Sequence, residues 1–245
     1  MQTTSALYKA LLNEKTTRKE TKVVIAGEDY LQNRIFSASD SLGTFSAGTA
    51  CVGSAVSREL NLVLRDAGEI PKAAEMDVFI RLVNGAQASE WLPKGVYFID
   101  TRDQRAGIDK LTIRGYDCIR KASVRFTDAG SQGTWPRTDL AVVQEIARRI
   151  GAKEVNGSRI DPRTLAILTA GYQVPYPGFG DKAYTMREML GYIGAMYAGN
   201  WITNDVGQLR LLLLGDIPEE TGLLIDENAD YIVLGSDTRI IVNGR

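Results

Sequence analysis

The chain of 245 residues contains no histidine. Histidine is the commonest general base near neutral pH and the commonest metal ligand, so Ser-His-Asp and Cys-His catalytic pairs are excluded. The two cysteines, Cys51 and Cys118, are too few for a disulfide scaffold and lack zinc spacing. We expect two small buried side chains, although a single bridge between them stays open.

An excess of charge of one sign is also absent, since 29 basic and 30 acidic side chains give a net charge of −1. Tight nucleic-acid binding needs clustered Lys and Arg, so we expect no specific nucleic-acid partner. No apolar run approaches the roughly 20 residues of a membrane helix, and the first residues lack the apolar core of a signal peptide. We therefore expect synthesis in the cytosol and no membrane segment.

Carboxylates that could support chemistry have plainer structural explanations. Asp100, Asp103 and Asp109 resemble the carboxylates that glycosidases pair, but they flank a polar loop in which Asp is a common turn residue. The acidic run 226–230 lacks the ligand spacing and the glycine of a calcium loop. Neither a phosphate-binding glycine loop nor a G-x-S-x-G motif occurs. The sequence thus gives no catalytic, cofactor-binding or metal-binding residue, and we predict no enzyme and no cofactor.

Aromatic residues offer one alternative function, which is stacking on sugars. The loop 172–180 is rich in aromatic residues, Pro and Gly, and its Tyr176 and Phe179 would contact a glycan if this chain is a carbohydrate-binding adhesin module. Scattered aromatics are more often part of a core or an interface. The tryptophans that belong to this alternative are Trp91, Trp135 and Trp201.

Between residues 22 and 127 the sequence is mostly of β character, with several segments that alternate between apolar and polar positions and a stretch at 37–57 that indicates loops with short extended pieces. This period of two predicts strands with one buried face, and short strands at this spacing are typical of a barrel or a sandwich. Two predicted strands, 95–100 and 111–116, enclose the polar loop 101–109. Asp117 then predicts the N-cap of a short helix. The main apolar positions are Leu60, Leu62, Leu64, Met76, Val78, Ile80, Leu82, Leu111 and Ile113.

Helical patterns follow a linker-like segment at 129–136. Thr138 and Gly151 are placed to cap a helix at its two ends, and Asp161-Pro162 opens a short helical or turn segment. The N-terminal residues 5–14 also predict an amphipathic helix, with Leu7 and Leu11 on one side. That helix is either a frayed terminus or an arm that packs on a neighbouring subunit. The stripe expected to be buried after Thr138 is Leu140, Val143, Ala147 and Ile150.

The sharpest local signal of the second half is Thr185-Met186-Arg187-Glu188, which matches a capping box. Because Gly191 and Gly194 weaken the helix that follows, we expect close packing on their face. A hairpin is predicted after this helix, with strands at 201–203 and 209–214. Strands are also predicted at 231–234 and 239–242.

Two segments resemble one protein family. The pattern W-x-P-K-G-x-Y-x-I-D followed by x-T-I-x-G-Y-D, within 91–122, is similar to the first barrel of tail-hub proteins of long-tailed bacteriophages and prophages, also called baseplate-hub or tail-associated proteins. The pattern Y-T-x-R-E-x-L-G-Y-I followed by G-x-L-R-L, within 184–211, is similar to the α/β domain that follows that barrel. The two matches lie in the order expected for the family.

The resemblance implies an α+β, mainly β fold with a β-barrel-like tube domain. Residues 1–20 would be an N-terminal helical arm, 21–127 the first hub β-barrel domain, 128–215 an α/β domain, and 216–245 strands that begin a second barrel. Because the sequence stops at Arg245, before a second barrel is complete, we expect a fragment of a longer protein rather than the alternative, a trimmed member of the family.

The same resemblance implies a structural virion protein, made in the host bacterial cytoplasm and located in the virion tail. Three copies, with two barrels each, would form a homotrimeric ring at the tail tip that continues the six-fold tube. Its partners would be the distal tail or tail tube protein above, and a spike, a tape-measure protein or a C-terminal extension below. A tail-associated cell-wall hydrolase is a further alternative.

Overall fold

The computed structural model describes residues 4–41, 43, 51–65, 67–104, 109–126, 135–168, 171–175, 183–214, 224–225 and 231–232. The helices are α1 (Ala6–Leu12), α2 (Asp139–Ile150), α3 (Pro162–Ile167) and α4 (Met186–Met196), with a 3-10 helix at Cys118–Ser123. The strands are β1 (Arg18–Ile25), β2 (Glu28–Tyr30), β3 (Ile35–Ser41), β4 (Glu59–Arg65), β5 (Glu75–Asn84), β6 (Gln87–Ala88), β7 (Leu92–Gln104), β8 (Lys110–Tyr116), β9 (Arg137–Thr138), β10 (Gln173–Val174), β11 (Gly199–Thr203), β12 (Leu209–Leu213), β13 (Leu224–Ile225) and β14 (Tyr231–Ile232).

Eight strands of the first half form one antiparallel sheet in the order β2-β1-β5-β7-β8-β4-β3, with β6 paired to β5. The predicted period of two is confirmed in β4, where Leu60, Leu62 and Leu64 are buried between more exposed neighbours. The predicted α+β, mainly β fold class is therefore confirmed.

One apolar core lies against this sheet and includes residues from both end strands, Tyr30 of β2 and Ile35 of β3. A flat sheet would hold its two end strands far apart, so the shared core requires that the sheet curls around it. Among the described strands no pairing joins β2 to β3, and a closed barrel is not found. The members of this core are Val23, Ile25, Tyr30, Ile35, Leu60, Leu62, Leu64, Ile70, Ala74, Met76, Val78, Tyr97, Ile99, Leu111 and Ile113.

Strand β7 runs further than the polarity of its sequence suggests. Residues Thr101 to Gln104 were expected in a loop, yet they pair with Arg114 to Leu111 of β8. A register shift between Ile99 and Thr101 accompanies this extension. Strands pair through backbone hydrogen bonds, which polar side chains on an exposed face do not prevent. The polarity of residues 101–104 therefore led to a predicted loop that starts too early. Residues 105–108 lie outside the described part.

A second hydrophobic core is formed mainly by residues that follow the sheet along the chain. It joins α2, α4, β11 and β12 to the 3-10 helix and to Ala55. Predicted features hold here: Thr138 caps α2, Gly151 ends it in a left-handed conformation, and Thr185 and Glu188 form the reciprocal capping box of α4. The core contains Ala55, Cys118, Ile119, Ala122, Phe126, Val142, Val143, Ile146, Ala147, Ile150, Ala152, Ile160, Leu168, Val174, Met186, Met189, Leu190, Ile193, Trp201, Leu209 and Leu211.

The N-terminal helix α1 packs on this same chain. Ser5 caps it and also binds Glu90 through its backbone N–H (2.7 Å) and its hydroxyl (2.6 Å). Leu11 is fully buried, whereas Leu7 and Leu12 are exposed. Helix α1 ends at Leu12, and β1 begins at Arg18. The sheet therefore starts four residues before the strand that the sequence predicted from residue 22.

Towards the C-terminus, β13 and β14 pair antiparallel over two residues each. The predicted strand 239–242 and the acidic run 226–230 lie outside the described residues, so the second barrel stays a prediction. In the described part of the chain, no helix combines the length and the apolar character needed to cross a membrane.

Candidate functional site

The carboxylates singled out from the sequence do not line a cleft together. Asp100 and Asp103 lie exposed on β7, and Asp109 is exposed just before β8. No group of three His, Cys, Asp or Glu residues in the described ranges could hold a metal ion. Asp100 and Asp103 thus belong to a paired strand and not to the loop in which the sequence placed them.

The aromatic residues considered for sugar stacking are mainly packed. Trp201 is fully buried in the second core, and Trp135 lies edge-on against Phe126 at 6.1 Å between ring centroids. Trp91 is half-buried under the guanidinium of Arg81, at 4.5 Å from the ring centroid. The loop residues Tyr176 and Phe179 lie outside the described part of the chain.

Both cysteines are free thiols, which closes the question of a bridge between them. Cys118 is buried, and burial raises its pKa, so the thiol stays protonated. Cys51 is only half-buried, which corrects the expectation that both are buried, and its sulfur lies 3.1 Å from the hydroxyl of Ser54.

The two cores meet at a junction, where residues 53–56 run alongside β11. Ala55 forms a parallel bridge with Trp201, and Gly53 N–H donates to the carbonyl of Gly199 at 3.0 Å. The N–H of Val56 donates to the carbonyl of Trp201 at 2.9 Å. This segment leads directly into β4, so backbone hydrogen bonds connect the curled sheet to the β11–β12 hairpin.

A buried carboxylate, Asp117, lies at the centre of this junction. One of its oxygens accepts the hydroxyl of Ser57 (2.7 Å) and the N–H of Ile119 (3.1 Å). The other accepts the N–H of Arg58 (3.0 Å) and the hydroxyl of Thr203 (2.7 Å). Burial raises the pKa of Asp117, and these four hydrogen bonds oppose that rise. The predicted N-cap thus also connects the segment before β4, the 3-10 helix and β11 to one another.

Arg58 extends the junction towards β3 and the hairpin turn. Its guanidinium, only 5% exposed, donates to Asp40 at 2.7 Å and to Asp205 at 3.0 Å. Burial would lower the pKa of Arg58, but interaction with Tyr97 and the hydrogen bonds to Asp40 and Asp205 leave it raised. One side chain therefore connects an end strand of the sheet to the second core, and it remains charged.

A second contact between the cores lies beside Gly207 of the hairpin turn. Lys153 pairs there with Glu75 and, at 3.3 Å, with Asp77 of β5. A Cβ added to Gly207 would lie 2.7 Å from a methyl group of Val96, so this turn rests tightly on β7. The hairpin is thus held on two sides by the sheet.

Sequence reasoning found Asp117 as a cap but missed Arg58 and Lys153. A single arginine before a strand has no pattern of its own, because its partners Asp40 and Asp205 are distant along the chain. Only the pairing of strands brings these charges together.

A cleft of about 360 Å³ opens next to this junction, between α3 and the β11–β12 hairpin. Its lining comes from β11, from the start of α3 and from the hairpin turn. The lining residues are Arg58, Asp161, Pro162, Arg163, Ile202, Thr203, Asn204, Asp205, Val206 and Arg210.

No family model matches the sequence, and no curated protein sequence matches it significantly. Among solved structures, the chain is similar to the prophage MuSo2 43 kDa tail protein from Shewanella oneidensis, with a TM-score of 0.47 and 12% identity, over 80% of this chain and 56% of that one. It is also similar to the tail protein from Neisseria meningitidis MC58, with a TM-score of 0.41 and 12% identity, over 79% of this chain and 51% of that one.

The chain therefore spans about half the length of those two tail proteins. Neither likeness assigns a family or a function to it, because both TM-scores lie below 0.5.

Proposed function

We propose that this chain is a structural component of the tail of a long-tailed bacteriophage or prophage, and that it belongs to the hub at the tail tip. The observation that supports the proposal is the order of secondary structure in the two family-like segments, paired strands first and then a helix with a hairpin. The first forms the β7–β8 hairpin of a curled sheet, and the second forms α4 with the β11–β12 hairpin.

The way in which these two units are joined supports a mechanical role. Arg58 and Asp117 link the elements of the junction through ion pairs and hydrogen bonds, and such networks restrict how the linked elements can move relative to one another. A ring subunit under load needs a fixed arrangement of this kind. A mechanical role of this kind does not require a nucleophile, a base and an orienting group in one site.

The curled sheet would be a barrel of the tube wall in this proposal. Three copies with two barrels each would form a homotrimeric ring that continues the tail tube. Six of the seven residues of β3 are exposed, and among the described strands β3 pairs on one side alone. Because an unpaired strand edge can pair with another chain, β3 is a suitable edge for contact between subunits.

Mass measurement in solution and cryo-EM of the particle test the proposal. Native mass spectrometry of the protein is expected to give three copies, and density at the tail tip should accept the sheet and the second core as one rigid body. The tube protein or distal tail protein should lie above the ring, and a spike, a tape-measure protein or a C-terminal extension below it. Density that places this chain away from the tail tip contradicts the proposal.

The two alternative functions have their own measurements, and no contact in the described residues favours either. If the protein hydrolyses cell walls, it should clear a peptidoglycan suspension, and Asp100→Asn or Asp103→Asn should abolish this activity. An adhesin predicts glycan binding that is lost in Tyr176→Ala or Phe179→Ala.

A further inference from the structure

Three arginines line the cleft between α3 and the β11–β12 hairpin: Arg58, Arg163 and Arg210. Arg163 is exposed at the start of α3, and Arg210 is half-buried on β12, where it pairs across the hairpin with Ile202. The lining of the cleft thus includes arginines from three separate parts of the chain.

The two acidic residues of the cleft are already engaged. Asp205 accepts from Arg58 at 3.0 Å. Asp161 accepts from the backbone N–H of Arg163 at 2.9 Å and from the amide nitrogen of Asn204 at 2.8 Å. Both carboxylates thus line the cleft and are engaged by groups of this protein.

The positive charge of the cleft is not balanced in the same way. Over the described ranges, no carboxylate lies within 4.0 Å of the side-chain nitrogens of Arg163 or Arg210, and the buried Nε of Arg210 has no hydrogen-bond partner. Like charges that line one cleft disfavour each other, and an anion that enters the cleft offsets the positive charge of Arg163 and Arg210.

We propose that this cleft binds an oxyanion through the guanidinium groups of Arg163 and Arg210, with Arg58 held behind them by Asp40 and Asp205. The planar fork of a guanidinium matches the oxygens of a carboxylate or a phosphate, and its charge strengthens each hydrogen bond. The oxyanion is either a carboxylate side chain of a neighbouring protein or free phosphate. The proposal concerns these residues alone and is independent of the tail role.

Titration of the protein with two small probes tests the site. In a ¹H–¹⁵N spectrum at low ionic strength, the Nε–Hε signal of Arg210 should shift saturably when inorganic phosphate or N-acetylaspartate is added. A lower dissociation constant for phosphate points to free phosphate as the ligand, and a lower one for N-acetylaspartate points to a protein carboxylate.

Variants separate this site from general charge effects. Arg163→Gln and Arg210→Gln should each weaken binding by about tenfold or more, since each removes a charge-assisted contact. Arg148→Gln removes the same charge from an exposed position at the end of α2 and should leave binding unchanged. If Arg210→Gln does not fold, the exposed Arg163→Gln still decides the question.

Two results overturn the proposal. One is the absence of a saturable shift with either probe up to about 20 mM, which is well above the range of a specific site. The other is equal weakening in Arg148→Gln and Arg163→Gln, which would mean that the anion follows the overall charge of the protein rather than this cleft.

Discussion

Asp117 illustrates at the scale of single residues how a local signal acquires a second role. Its position before a short helix predicts an N-cap, and the structure confirms that its side chain accepts from Ile119 N–H. The same carboxylate also accepts from Ser57, Arg58 and Thr203, which come from distant parts of the chain. A residue that a sequence marks as a cap can therefore be the centre of a junction.

Replacing Asp117 with asparagine should destabilise the protein by about 1–3 kcal/mol. Two fixed backbone donors, from Arg58 and Ile119, point at different oxygens of this carboxylate. An asparagine side chain offers one oxygen, so one N–H must face its amide group without an acceptor. Chemical denaturation of the variant measures the change.

The exposed Asp103→Asn is the matched control for this prediction and should change stability by less than about 0.5 kcal/mol. Equal effects at the two positions would show that the junction does not depend on the acceptors of Asp117.

At the scale of elements, helix α4 shows that the start of a helix can depend on its own sequence while its glycines depend on contacts with other elements. Its start is encoded locally by Thr185 and Glu188. Its glycines serve contacts with other elements: a Cβ on Gly191 would lie 2.6 Å from the carbonyl oxygen of Gly53, and one on Gly194 would lie 2.9 Å from that of Gly199. The predicted close packing is therefore confirmed.

Substituting Gly191→Ala should lower stability by about 1–3 kcal/mol, although alanine is the better helix former by about 1 kcal/mol. The added methyl group would meet a backbone oxygen, which can move aside only if residues 51–56 shift away from α4. Thermal unfolding measures the loss. Gln144→Ala, at an exposed position of α2, is the control and should leave the melting temperature nearly unchanged or raise it slightly.

The capping box of α4 should make part of the stability depend on pH. Hydrogen bonds from the backbone N–H and the hydroxyl of Thr185 hold the pKa of Glu188 below its ordinary value of 4.5. A carboxyl group whose pKa is lower in the folded state stabilises the fold above the ordinary value and loses that effect as the pH falls.

Glu188→Gln should therefore be less stable than the natural sequence by about 0.5 kcal/mol at pH 7. The difference should shrink as the pH is lowered from 4.5 towards the folded-state pKa and below it. Melting temperatures of both proteins across this range provide the measurement. A difference that does not change with pH would contradict the assignment to the charged carboxylate.

At the scale of the whole molecule, the junction predicts that the two cores unfold together. Trp91 lies beside the sheet and Trp201 lies in the second core, so each can report on one of them when the other tryptophans are replaced by phenylalanine. Coincident unfolding curves from the two single-tryptophan proteins are expected for the natural junction.

Removing the link by Arg58→Ala should separate these two curves, because Asp40 and Asp205 then lose the group that joins them. Arg65→Ala is the control, since Arg65 contacts Phe36 on the outer face of the sheet and not the second core. If the curves still coincide in Arg58→Ala, the backbone contacts between residues 53–56 and β11 suffice for coupling.

The sequence by itself determined the local order of this protein: the alternation that makes the strands of the sheet, the caps at Thr138, Asp117 and Thr185, and the absence of histidine chemistry. These features depend on residues that are close to one another along the chain, so the sequence alone reveals them. The tertiary structure alone decided that the sheet curls around one core, that Arg58 connects Asp40 to Asp205, and that Arg210 shares a cleft with Arg163. Charges far apart along the chain meet only when strand pairing closes the distance between them.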